Sequence, residues 1–123
     1  MSLYSGPLYN TAKVLLTICS RKATICVMIE IRKTDIFAKW LDGLHDIRAR
    51  ARILVRIERL ATGNPGDVNP VGGGVSELRI NYGPGYRVYY KQQGEKVVIL
   101  LAGGDKRTQA KDIKTALRLA QNI

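Results

Sequence analysis

The residues best suited to chemistry lie between Val75 and Arg107. Glu77 and Arg79 are two apart, and so are Arg87, Tyr89 and Lys91. Side chains two apart in an extended chain share a face, so each set projects from one side of a strand. Gly83-Pro84-Gly85 between them is a tight turn that folds the two sets side by side. Neighbours on one face of such a hairpin come within about 5–8 Å, which brings Arg79 towards Arg87. Lys106 and Arg107 follow the next strand and add charge at its end. Arginine and lysine bind phosphate, and tyrosine rings can stack on unpaired bases. The pattern fits a shallow cationic surface for a single RNA strand. It also suits cleavage of that strand, in which a ribose 2′-hydroxyl attacks the adjacent phosphorus and the 5′-oxygen leaves. Guanidinium groups would stabilise the charge that develops on the phosphate. Glu77 is the one carboxylate on this face, readable as a proton acceptor or as the salt-bridge partner of Arg79 or Arg87.

Other chemistries find less support. His45, the only histidine, stands at a helix start and suits a surface or capping role. No cluster of acidic residues and histidines is placed to hold a metal ion, so neither a metal nor a cofactor is expected. Gly72-Gly73-Gly74 lacks the GxxxxGK[ST] pattern and a following helix, so a P-loop is excluded.

The elements that must position these residues can be read in order. Met28 to Lys33 is patterned as a strand. Thr34 or Asp35 can cap a helix from Ile36 to about Gly43, with Phe37, Trp40 and Leu41 as its buried stripe. A second helix spans roughly Asp46 to Ala61. Ile47, Leu54, Ile57, Leu60 and Ala61 are assigned to its buried side, with Ile53 at the edge. Arg48, Arg52, Arg56 and Arg59 form a stripe on the other side, and like charges so spaced favour an anionic partner such as RNA or an acidic protein. Thr62 to Gly74 reads as a flexible loop. Three meandering strands follow over Val75–Tyr82, Tyr86–Lys91 and Lys96–Ala102. The last is apolar throughout, as expected of a strand covered on both faces. A helix from Thr108 to about Asn122 closes the chain. The fold class is a small α+β domain of order β-α-α-β-β-β-α, an antiparallel sheet with the helical hairpin on one face.

A chain of 123 residues with 46% hydrophobic content makes one domain. Twenty basic residues against ten acidic give a net charge of +10, which points to a polyanionic partner. Residues 1–27 hold three of the basic residues, none of the acidic ones, and no clean period, so residues 28–123 keep a net charge of +7. The front is read as an unordered extension from a misplaced start upstream of Met28, or as a basic arm. Cys19 and Cys26 supply neither a disulfide framework nor metal-ligand spacing. No apolar run approaches the roughly 20 residues of a membrane span, and no secretory leader is evident. A cytoplasmic protein without a membrane partner is expected.

The strand at 28–33, the WLDGLHD helix joint, GGGVSELRINYGPGYRVYY and GGDKRTQAKDI together resemble the RelE/ParE superfamily of toxins from type II toxin–antitoxin modules. Within it, the chain is most similar to the HigB-like addiction module killer proteins, which are related to phage Gp49-like proteins. The resemblance covers 28–123. It implies a RelE-like fold and inhibition of translation by ribosome-dependent mRNA cleavage through 2′-hydroxyl attack, without a metal. The implied partners are mRNA, the ribosome and a cognate antitoxin of helix-turn-helix type. Arg87 matches the middle-strand arginine that contacts the scissile phosphate. Arg79 and Lys106 approximate two further basic positions. The tyrosine of the final helix has no counterpart, since Asp112 or Ile113 falls there. One of the paired lysines is also missing. A gyrase poison of the ParE kind and an inactive RNA- or antitoxin-binding homologue are the alternatives.

Overall fold

The strand that the meander pattern marks as central, β6 (Val97–Gly104), lies inside a six-stranded sheet. It is apolar throughout because both of its faces are covered. Val98 and Leu100 enter one core, while Ile99 and Leu101 enter the other. The computed structural model describes residues 9–19, 26–94 and 96–123. The remaining elements are β1 (Tyr9–Cys19), β2 (Cys26–Thr34), α1 (Asp35–Asp42), α2 (Ile47–Ala61), β3 (Val68–Gly72), β4 (Val75–Ile80), β5 (Tyr86–Gln93), a 3₁₀ turn over Lys106–Thr108, and α3 (Gln109–Gln121). The sheet order is β1-β2-β6-β5-β4-β3. The α+β class and the meander β4-β5-β6 follow the sequence pattern, as do the two helices before it and the one after.

Three features differ from expectation. First, the sheet is not wholly antiparallel: β2 runs parallel to β6, from Glu30↔Val97 to Lys33↔Leu100. A parallel pair needs a long crossover, and α1, α2 and the first strands of the meander supply it. Second, the loop at 62–74 contains a strand. β3 pairs with β4 at the sheet edge, where Pro70 is tolerated because an edge strand can spare an amide donor. Gly72, Gly73 and Gly74 all take positive φ, which is how a stretch dense in glycine makes a hairpin turn rather than a flexible lead-in. Third, β1 pairs antiparallel with β2, from Tyr9↔Thr34 to Cys19↔Cys26. The expectation of an unordered front is therefore revised for residues 9–19, while 1–8 and 20–25 of that front lie outside the described residues.

The sheet is covered on both sides. Phe37 and Leu41 of α1 and Ile53, Ile57 and Leu60 of α2 pack on Leu78, Ile80, Val88 and Tyr90. Ala116, Leu119 and Ala120 of α3 pack on Val75, Tyr89, Ile99 and Leu101 on the opposite face. Thr34 starts α1 from inside the core: its hydroxyl accepts from the Phe37 amide at 3.0 Å and donates to the Leu101 carbonyl at 2.5 Å. Asp46 caps α2 through the amides of Arg48 and Ala49. The buried face of α2 is rotated from the assigned one. Ala49 and Ile53 are fully buried, whereas Ile47 is 78% and Leu54 51% exposed. Positions 49, 53, 57 and 60 make a continuous helical stripe, and Ile47 and Leu54 fall outside it.

Gly103 and Gly104 let the two helical layers close on the end of β6. A Cβ at Gly103 would lie 2.1 Å from Cε3 of Trp40, and one at Gly104 would lie 1.8 Å from Oδ2 of Asp112. The Trp40 ring therefore packs directly against the Gly103 backbone, where the sequence gives it only as a core residue. We expect Gly103→Ala to destabilise the fold by about 1–3 kcal/mol through overpacking, read as a lowered urea midpoint. An exposed change such as Lys39→Ala should stay within about 0.5 kcal/mol.

Candidate functional site: a buried carboxylate between two arginines

β4 and β5 place Arg79 directly opposite Arg87, and Glu77 opposite Tyr89. Two guanidinium groups in that position repel unless a counter-charge lies between them. Glu77 supplies it. Its Oε1 accepts from Arg79 Nε at 3.1 Å and from Arg87 Nη1 at 2.9 Å. Its Oε2 accepts from the Tyr89 hydroxyl at 3.0 Å and from Gln109 Nε2 at 2.9 Å. The Glu77 side chain is fully buried. Burial pushes its carboxyl up, but the bonds from Gln109, Arg79 and Tyr89 and the charge of Arg87 outweigh that and hold it below the usual range. Burial and the bond to Glu77 push the Tyr89 phenol far up, so it stays protonated.

This geometry corrects two assignments. Glu77 has its lone pairs occupied by four donors, so it is a structural counter-ion and not a free proton acceptor. Tyr89 is fully buried against α3, so its ring cannot stack on a base. The face that carries them was expected to be open, and α3 covers it.

The other predicted residues separate into two groups. Gly104 pairs with Arg87 in register, so Lys106 and Arg107, just beyond it, share the Arg79–Arg87 end of the sheet. Lys106 is exposed and packs its Cβ beside the Gly85 turn. Arg107 is paired with Asp105 at 3.1 Å, and Arg79 also lies 4.0 Å from Asp67. Lys91 sits farther along β5, opposite Val75, and its Nζ donates to the Ala120 carbonyl at the end of α3. Arg48, Arg52 and Arg56 lie on α2, across the sheet from the cluster. Arg56 is consumed structurally: its guanidinium donates to the carbonyls of Arg79, Pro65 and Asp67 and clamps the loop before β3. Arg52 lies 4.7 Å over the Tyr82 ring.

The cluster is less positive than its arginines suggest, because Glu77, Asp67 and Asp105 offset three of its four cations. Arg79 stays 42% exposed at its side chain and Arg87 14%. The Arg87 Nε is buried without a hydrogen-bond partner among the described residues, so this guanidinium keeps an unused donor. Two contributors were not foreseen. Gln109 begins α3 and ties it to β4, which only the tertiary fold reveals. Lys111, Lys114 and Arg118 are exposed on α3, and their i, i+3, i+7 spacing was a readable signal for a shared basic face.

The fold and site thus define a small basic α+β domain whose sheet end carries an arginine pair held by a buried carboxylate. Residues 39–122 match the model of the family described as phage-derived protein Gp49-like (DUF891), and the chain belongs to this family, which is associated with RelE- and HigB-like toxins. A protein from Haemophilus influenzae described as uncharacterized is 54% identical over 95 residues, covering 77% of this chain and 96% of that relative. No solved structure matches the chain. No helix among the described residues is long and apolar enough to cross a membrane.

We expect Glu77→Gln, which keeps the shape and removes the charge, to cost roughly 2–4 kcal/mol. That is discounted from the larger cost of breaking a fully buried pair because Arg79 is partly solvated. The carboxyl is held low in the folded state, so its stabilisation is complete above the unfolded value of about 4.3. It is lost as pH falls through the lower folded value. Urea midpoints should therefore separate wild type from Glu77→Gln at pH 7 and converge below about pH 4.

Proposed function

We propose that residues 28–123 act as the toxin of a type II toxin–antitoxin module and inhibit translation by metal-independent, ribosome-dependent cleavage of mRNA. The observation that carries this reading is the Arg79–Arg87 pair. Both guanidinium groups are anchored on Glu77, so they are held in place before any substrate arrives. Preorganised donors stabilise transition-state charge without reorganising. Arg87 contacts the scissile phosphate through donors not used by Glu77. Arg79 and Lys106 flank it, and Arg107, Lys111 and Lys114 track the backbone of the strand. Membership of a family associated with RelE- and HigB-like toxins supports this assignment. It also supports a cognate antitoxin, of helix-turn-helix type in the proposed module.

A second reading is favoured by one specific observation. The carboxylate and the phenol nearest the arginines are both locked into hydrogen bonds, so neither is free to move the 2′ proton. A homologue that binds RNA or antitoxin without cutting, or a gyrase poison, would need no such group.

The test is the full chain in a translating extract, with mRNA 5′ ends mapped beside Arg87→Ala and Lys106→Ala. New ends at codon-spaced positions are expected, reduced by about 10²–10³ in Arg87→Ala and to a lesser degree in Lys106→Ala. Lys106 is exposed, so its variant reports on chemistry with the fold intact. Unchanged mRNA with intact translation would overturn the nuclease reading, and inhibition of gyrase supercoiling in the same preparation would replace it.

A further inference from the structure

Four donors occupy Glu77, so the strands themselves supply no free carboxylate beside Arg87. The helix that roofs them does. Asp112 stands in the first turn of α3, half-buried over Gly104. Its Oδ2 lies 1.8 Å from where a Gly104 Cβ would be. Gly104 is the register partner of Arg87 on β5, and directly opposed residues hold their Cβ positions about 4.5–5.5 Å apart on one face of a sheet. Asp112 thus fills the side-chain position that Gly104 leaves vacant, about one interstrand step from Arg87. The Thr108 hydroxyl donates to Oδ2, and Oδ1 has no hydrogen-bond or ion-pair partner among the described residues. Gln109, three residues earlier on the same side of α3, donates to Glu77 and ties the helix to the arginine pair. Arg87 likewise keeps its Nε without a partner among the described residues. An unspent donor and an unspent acceptor therefore share this end of the sheet.

We propose that Asp112 is the proton acceptor for the 2′-hydroxyl of the strand held by Arg87, an assignment that rests on the nuclease reading above. In the attacking geometry the 2′-oxygen stands about 3–3.5 Å from phosphorus. Its base must lie one hydrogen bond beyond, about 2.6–3.2 Å farther. A phosphate on the Arg87 guanidinium therefore calls for an acceptor about one interstrand step away on the same face, where Asp112 stands. Oδ1 of Asp112 takes the 2′ proton, the 2′-oxygen bonds to phosphorus, and the bond from phosphorus to the 5′-oxygen breaks. The 5′-oxygen leaves with a proton from water, giving a 2′,3′-cyclic phosphate and a 5′-hydroxyl. The bond from Thr108 to Oδ2 fixes the carboxylate for this task. A role in starting α3 does not account for the placement. An acidic side chain favours the first turn of a helix from any side, and positions 110 and 111 are exposed and would ask nothing of β6. Asp112 instead packs on Gly104, which must lack a Cβ to admit it. A carboxylate beside a phosphate also repels the substrate, which works against binding and is consistent with a part in the reaction.

The test uses the full chain, translating ribosomes and an mRNA whose cut site has been mapped. Asp112→Asn keeps the shape of the side chain and its bond from Thr108 but removes the proton acceptor. It should cut about 10²–10⁴-fold more slowly, with the urea midpoint unchanged. Affinity is read with the same mRNA carrying one 2′-deoxynucleotide at the cut site, which can bind but not react. Asp112→Asn should hold that RNA as tightly as wild type, or slightly tighter. Asp112→Glu retains a carboxylate and should recover part of the rate. Thr108→Val frees the carboxylate and should lose about 10–10²-fold through misplacement. Cleavage by Asp112→Asn at the wild-type rate would overturn the inference and leave the nuclease reading standing. So would a loss that appears in binding of the deoxy-substituted RNA rather than in the rate. A wild-type chain that leaves the mRNA intact would overturn both.

Discussion

One buried carboxylate organises the end of the sheet. Without a counter-ion, Arg79 and Arg87 could not sit opposite each other on adjacent strands, since like charges in that position repel. Glu77 removes the repulsion and takes two more donors, Tyr89 from β5 and Gln109 from α3. A fully buried charge is costly unless it is paired and hydrogen-bonded, and here all four bonds come from different side chains. The same group therefore fixes the arginine geometry, closes the interior around Tyr89 and docks the first turn of α3. Its neighbours are positioned by it, and it is unavailable for anything else.

The second constraint is the pair of glycines that ends β6. Successive residues of a strand point to opposite faces, so Gly103 faces the α1 layer and Gly104 faces the start of α3. Trp40 occupies the space on one side, Asp112 and Thr108 that on the other. The two helical layers can approach one backbone this closely only because neither residue has a side chain. The approach brings Lys106, Arg107 and Gln109 to the end of the sheet where Arg79 and Arg87 lie.

Local signals in the sequence identified the described elements whose patterns are self-contained. The alternation of Val75–Ile80, the Gly83-Pro84-Gly85 turn, the Thr34 cap (one of the two positions offered for α1) and the doubly covered β6 are all legible. Elements defined by partners were not. β3 is written in residues that usually mean loop, and it is a strand because β4 offers it an edge. β2 shows its strand pattern but not its parallel partner. The face of α2 was misphased because Ile47 and Leu54 are large and apolar, while Ala49, which is fully buried, is small. At the site, the spacing placed Arg79, Arg87, Glu77 and Tyr89 on one face correctly. It could not show that α3 would roof that face, turning Glu77 and Tyr89 from surface groups into interior ones.

That roofing changes what the net charge of +10 means. Charge read from composition was assigned to the sheet and to the arginine stripe of α2, yet on the sheet Glu77, Asp67 and Asp105 offset most of it. Arg56 is spent on backbone carbonyls and Lys91 on the end of α3. Among the described residues, Arg48 and Arg59 on α2 and Lys111, Lys114 and Arg118 on α3 are exposed without such partners on the outer surfaces of the two helical layers. These surfaces face away from each other across the sheet. The α3 side adjoins the arginine pair through Gln109, which donates to Glu77. The α2 side is mixed with the exposed aliphatic residues Ile47, Leu54 and Val55. The α2 layer is not mechanically remote from Arg79 and Arg87. Arg56 joins α2 to the Arg79 carbonyl, so any displacement of the helix is felt by the strand that carries both Arg79 and Glu77.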